Sequence, residues 1–167
     1  DKSAEMAAAA RPVTTSTATP TAIDTAWAAL KPATPSATLM QQNRIVAFSG
    51  GREATAYDVL RTRVLQQARQ NGWKRVGITS PTAGCGKTTT ALNLGFSLAR
   101  QPEIRAILVE IDMRRPAFVR MLGDQPEASL ADVLEGQVPF ASAALRHGQN
   151  LAIAPVTLKP RLLELIC

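Results

Sequence analysis

Residues Ser80–Arg100 read SPTAGCGKTTTALNLGFSLAR. A short run holding Gly84 and Gly86 leads into Lys87 and three threonines, and then into apolar residues at helical spacing. The run before it, WKRVGITS at 73–80, is β-branched and compact, and it predicts a buried strand that ends at Ser80. Strand, glycine turn and helix, in that order, suit a bound anion. Glycines without side chains let backbone N–H groups turn inward, and the helix N-terminus brings the positive end of its dipole to the same point. The spacing GxxxxGK(S/T) is met everywhere except at its first position, where Pro81 stands. That position only opens the loop, and proline fixes an extended entry to it.

The stretch therefore predicts a nucleotide site. Ala83, Gly84, Cys85, Gly86, Lys87, Thr88 and Thr89 would surround the phosphates, with Lys87 on the outer ones and the Thr88 hydroxyl on Mg²⁺. Cys85 sits at a variable position of such loops and is read as a small tolerated residue.

Downstream, residues 107–116 read ILVEIDMRRP. The apolar run predicts a parallel strand, and strand alternation puts Glu110 and Asp112 on one side at its carboxyl end. Ligands of open α/β sheets bind at that edge. Two carboxylates beside a triphosphate can hold Mg²⁺, and one of them can accept a proton from an attacking hydroxyl. Arg114 and Arg115 follow, placed to neutralise phosphate or to pair on the surface.

The rest of the chain fits an alternation of strands and helices. NRIVAFSGG at 43–51 predicts a short strand. EATAYDVLRTRVLQQARQNG predicts a helix with Tyr57, Leu60, Val64 and Ala68 on one face and Gly72 at its stop. RRPAFVRML starts another helix, SLADVLEG carries a capping signal at Ser129 and Asp132, NLAIAPV is a further strand, and KPRLLELI begins a last helix. The fold expected is α/β: a P-loop NTPase-like parallel sheet flanked by helices, incomplete at its C-terminal side. Residues 1–43, rich in Ala, Thr, Pro and Ser, form a disordered tether, with a short docking helix at 22–30 built on Ile23, Trp27 and Leu30. Residues 44–167 form the partial kinase-like domain.

Composition narrows the function classes. The 167 residues carry a net charge of +6, but the arginines are scattered from Arg44 to Arg120 without a basic run, so no nucleic acid partner is expected. Two cysteines, Cys85 and the terminal Cys167, build neither a disulfide framework nor a metal site, which favours a reducing cytoplasm. His147 is alone between Arg146 and Gly148 and reads as a solvated loop residue. No apolar stretch is long enough to span a membrane.

On these motifs the sequence resembles the bacterial tyrosine kinases of capsule and exopolysaccharide synthesis. The carriers are TSPTAGCGKTTTALNLGFSLAR, ILVEIDMRRPAFVRMLG and SLADVLEG. The family's Walker A′ motif, a hydrophobic triplet followed by D-x-D-x-R, is matched by Glu110, Ile111, Asp112, Met113 and Arg114, with Glu in the first acid's place. The resemblance implies transfer of the γ-phosphate of ATP·Mg²⁺ to protein tyrosine. It implies Lys87 and the Gly84–Gly86 backbone on phosphate, Thr88 and Asp112 on the metal, Glu110 as base, and Lys87, Glu110 and Asp112 as the catalytic set. It further implies a membrane-embedded polysaccharide co-polymerase as partner, self-association, and a place at the inner face of the cell membrane.

Three departures stand against it. No D-x-P-P-like Walker B stretch follows the third strand, Tyr57 is the only tyrosine, and the positions of the family's ring motif E-x-x-R-x-x-R hold Thr55, Asp58 and Arg61. A generic P-loop ATPase and a nucleotide-responsive, non-catalytic scaffold are the alternative readings.

Overall fold

The computed structural model describes residues 21–157. The first twenty residues of the expected tether and the helix expected from KPRLLELI lie outside the described residues. The elements are α1 (Ala22–Ala28), β1 (Lys31–Pro32), α2 (Ala37–Gln42), α3 (Val46–Ser49), α4 (Thr55–Asn71), α5 (Lys87–Ala99), β2 (Ala106–Val109), α6 (Phe118–Leu122), α7 (Leu130–Leu134), β3 (Leu145–His147) and β4 (Leu151–Ala154).

The four strands form one sheet in the order β1-β3-β4-β2. β2 pairs parallel to β4 from Ala106 opposite Leu151 to Val109 opposite Ala154, and the ladder runs on through Glu110 N–H to the Ala154 carbonyl at 2.9 Å. β1 is parallel to β3, but β3 and β4 are antiparallel. The sheet is thus mixed where a parallel one was expected. Only Gly148, Gln149 and Asn150 separate β3 from β4, and a connection that short permits antiparallel pairing alone.

β4 is buried on both faces. Leu151 and Ile153 turn toward a core with Leu92, Phe96, Phe118 and Leu122, while Ala152 and Ala154 turn to the other side, where Leu30, Ala144, Trp27 and Phe140 pack. α5 lies over β2 and β4 as the central helix, with α3 and α4 against it. Its residues from Ala91 to Ser97 are all buried. Gly95 belongs to that contact, since a β-carbon there would stand 3.1 Å from Leu108 Cδ2.

Within the expected tether, the described residues 21–43 are folded onto the domain. α1 begins with a capping box between Thr21 and Asp24, Leu30 is buried under the sheet, and Met40 of α2 enters the main core. Beyond the short docking helix expected at 22–30, composition hid this packing, because a few well-spaced apolar side chains suffice to anchor an Ala- and Thr-rich segment.

Two expected strands are absent. Residues 46–49 form α3 instead, because Asn93 of α5 accepts from Ala47 N–H at 2.9 Å and donates to the Arg44 carbonyl at 3.0 Å, which curls the segment over the helix. Residues 73–80 pair with no strand among the described residues, and Trp73 to Thr79 are exposed. A β-branched run becomes a strand only where a neighbour completes its ladder, and here none does.

Candidate functional site

α5 starts at Lys87 directly after Gly86, whose carbonyl accepts from Thr90 N–H at 2.8 Å. Both Gly84 and Gly86 have left-handed backbones, with φ of 80° and 82°, so the turn needs glycine at each. A β-carbon built at either would meet nothing within 4 Å. No side chain caps this helix N-terminus. The turn is braced from within: Ser80 Oγ donates to the Thr82 carbonyl at 2.8 Å, and Thr82 Oγ1 lies 2.8 Å from Cys85 Sγ. An open glycine turn on an uncapped thirteen-residue helix leaves its first N–H groups for an outside acceptor. These residues fit a phosphate. Ala83, Gly84, Cys85 and Gly86 are exposed, and Lys87, Thr88 and Thr89 are half-buried in the first helical turn.

Opposite stands Asp112. Its Oδ2 lies 2.6 Å from Lys87 Nζ, and its Oδ1 accepts from Arg115 N–H at 3.0 Å. The Lys87 hydrogen bond, followed by the backbone of Arg115, holds the Asp112 carboxyl below the usual carboxylate range. The two motifs that the sequence singled out are therefore joined by an ion pair, across a gap of 25 positions. Among the described residues no three His, Cys, Asp or Glu side chains converge as a metal cage. Magnesium suits such a place, because it takes one or two protein ligands and completes its shell from phosphate and water. Thr88 and Asp112 would be those ligands, and a bound nucleotide would supply the phosphoryl group.

Glu110 does not share this face. Glu110 continues the alternation of β2 onto the inward face with Ala106 and Leu108, and the ladder ends with it, so alternation no longer governs Asp112. Glu110 is 4% exposed. Its Oε1 accepts from Ala117 N–H at 2.6 Å and Phe118 N–H at 3.2 Å, and its Oε2 from Val156 N–H at 3.2 Å. Burial pushes its carboxyl above the ordinary value, against the pull of these amides. Arg114 and Arg115 are exposed at the rim.

Sequence reasoning missed the polar spine behind the site. Asn93 and Ser97 are fully buried on the inner face of α5, four residues apart. Asn93 also donates to the Thr89 carbonyl at 2.9 Å. Ser97 Oγ donates to Asp58 Oδ1 at 2.6 Å, and the same carboxylate pairs with Arg61 and Arg100. Two polar residues at i and i+4 within an apolar helix were the available signal. Asp58 and Arg61, matched above to a ring motif, are thus held within the chain. His147 is not a solvated loop residue either; it packs between Phe48 and Phe96.

No helix among the described residues is long and apolar enough to cross a membrane. No family model matches the chain. The chain is similar to a protein of Erwinia amylovora described as "Putative tyrosine-protein kinase AmsA", with 32% identity over 71 residues. The match takes in 42% of this chain, and the chain spans about a tenth (10%) of that relative's length.

Proposed function

We propose that this chain is a kinase-like nucleotide-binding domain that takes Mg·ATP on the turn before α5 and serves the transfer of its γ-phosphate to protein tyrosine. In this reading the N–H groups from Ala83 to Thr89 and the Lys87 ammonium hold the phosphates, and Thr88 and Asp112 hold the magnesium ion. The observation that carries it is the 2.6 Å contact between Lys87 and Asp112, which joins the glycine turn to the acidic strand end. The similarity to a protein described as a tyrosine kinase supports the same class. A role in exopolysaccharide synthesis, at the inner face of the membrane beside a membrane-embedded co-polymerase, extends the reading by resemblance.

Calorimetric titration of the chain with Mg·ATP tests the first part. Micromolar binding is expected, weakened about 10- to 100-fold in Lys87→Ala, the loss of one charge-assisted contact. Phosphoryl transfer to a tyrosine peptide, followed with γ-labelled ATP, tests the second. Binding without transfer to peptide or water favours a second reading, a nucleotide-responsive scaffold. One observation already speaks for it: the Glu110 carboxylate, the expected base, is occupied by three backbone amides.

A further inference from the structure

We infer that Glu110 is a positioning residue: its buried carboxylate staples the backbone at Ala117, Phe118 and Val156, and so fixes the 111–116 turn with Asp112 facing Lys87. The inference rests on the proposed nucleotide reading for its meaning, and on the geometry alone for its truth.

The turn has little else to hold it. The β2 ladder ends with Glu110 N–H on Ala154. Beyond it, apart from the Lys87–Asp112 pair, the turn at residues 111–116 is held by local hydrogen bonds: Met113 N–H to the Ile111 carbonyl at 2.9 Å, and Arg115 N–H to Asp112 Oδ1 at 3.0 Å. The Glu110 side chain then crosses the mouth of the turn. It takes Ala117 N–H and Phe118 N–H on one oxygen, and its other oxygen reaches Val156 where the chain leaves β4. One side chain thereby ties three segments, and the loop it closes carries Asp112.

The chemistry demands glutamate. Both oxygens accept, so a glutamine would aim an N–H₂ group at a backbone donor. Aspartate is one methylene shorter, about 1.5 Å by covalent geometry, and cannot reach both sides. A buried carboxylate engaged by three backbone amides is turned away from a substrate hydroxyl.

The test reads the Lys87–Asp112 contact without nucleotide, through the ¹H–¹⁵N resonance of the Lys87 ammonium in the intact chain. The resonance is expected in the wild-type chain and lost in Asp112→Asn. If Glu110 positions the turn, it is also lost in folded Glu110→Gln and Glu110→Asp. A wild-type Lys87 resonance in either folded variant overturns the inference. Should both variants unfold, the wild-type chain decides. The amide protons of Ala117, Phe118 and Val156 must be downfield-shifted and slow to exchange, and ordinary, fast-exchanging amides overturn it.

A second readout separates this role from a general structural one. Glu110→Gln should lose about tenfold in the magnesium-dependent part of ADP affinity, as loss of a residue supporting a metal ligand does. It should keep its magnesium-free ADP affinity within about twofold, and Asp112→Asn added to it should cost nothing more, as coupled groups behave. Equal loss with and without magnesium counts against positioning. A wild-type chain that binds no ADP, but whose Lys87 resonance responds as stated, retires the nucleotide reading and leaves Glu110 its role.

Discussion

An imidazole packed against two aromatic rings gives up part of its hydration. His147 sits 5.6 Å from the ring of Phe48 and 4.9 Å from that of Phe96, centroid to centroid. Burial pushes its pKa below the ordinary value of 6.5, because the charged form is the one that loses water. A histidine depressed in the folded state binds its proton more readily when unfolded. Its contribution to stability is therefore whole above pH 6.5 and is lost as the pH falls toward the folded value. The urea midpoint is expected to be lower at about pH 5.5 than at about pH 7.5, and that difference should shrink in His147→Leu. A midpoint with the same pH slope in the variant would assign the effect to other groups. Flanked in sequence by Arg146 and Gly148, His147 gives no hint of this setting, because Phe48 and Phe96 arrive from α3 and α5.

At the scale of elements, α5 organises what surrounds it through two polar side chains rather than through its apolar ones. Asn93 satisfies Ala47 N–H and the carbonyls of Arg44 and Thr89. In Asn93→Ala the Ala47 N–H stays buried without its partner, a cost of about 1–3 kcal/mol, and chemical denaturation should show it as a lowered midpoint at unchanged slope. Asn93→Leu should be no milder, because added apolar area cannot satisfy the Ala47 amide. On the far side of the sheet, α1 is fastened by Asp24 to Arg105, with the Arg105 guanidinium 5.6 Å above the Trp27 ring. The Arg105 hydrogen bond, then those of Thr21, lower the Asp24 pKa from 3.8 to about 2. This tie is present above the ordinary value and is lost as the pH falls through about 2. In Arg105→Ala the Asp24 carboxylate, followed by NMR, should titrate closer to 3.8, and an unmoved pKa would mean that α1 is held otherwise. Elements whose signals are local were legible in the sequence: α4 with Gly72 at its stop, α7 with its Ser129–Asp132 capping box, and the apolar runs of β2 and β4. Those decided by a distant partner were not. Residues 46–49 answer to Asn93, and residues 73–80 find, among the described residues, no neighbour that would make them a strand. The candidate site divides the same way. The glycine turn was readable from spacing, but the parting of Glu110 from Asp112 was not, because the β2 ladder ends at Glu110 and alternation does not carry on to residue 112.

Across the whole molecule, the sheet ends on β1 at one edge and on β2 at the other. β2 is an outer strand, and Ile107 and Val109 on it remain 54% and 39% exposed. Ile111 follows at 75%, and Trp73 and Val76, from the run that pairs with no strand among the described residues, stand at 57% and 55%. A row of unpaired backbone groups beside bare β-branched side chains is a template for another strand, and natural folds cover or charge such edges. β2 carries no lysine or arginine between Ala106 and Val109 to discourage pairing. The chain is therefore expected to self-associate with rising concentration, its sedimentation coefficient climbing over the micromolar range. Ile107→Lys places a charge in the middle of the open strand and should hold the chain monomeric at the same concentrations. It should leave Mg·ATP affinity within about twofold, since Lys87 and Asp112 lie at the carboxyl end of the sheet and a single exposed charge there is screened by solvent. A chain that stays monomeric without the substitution would show that other residues already shield this edge.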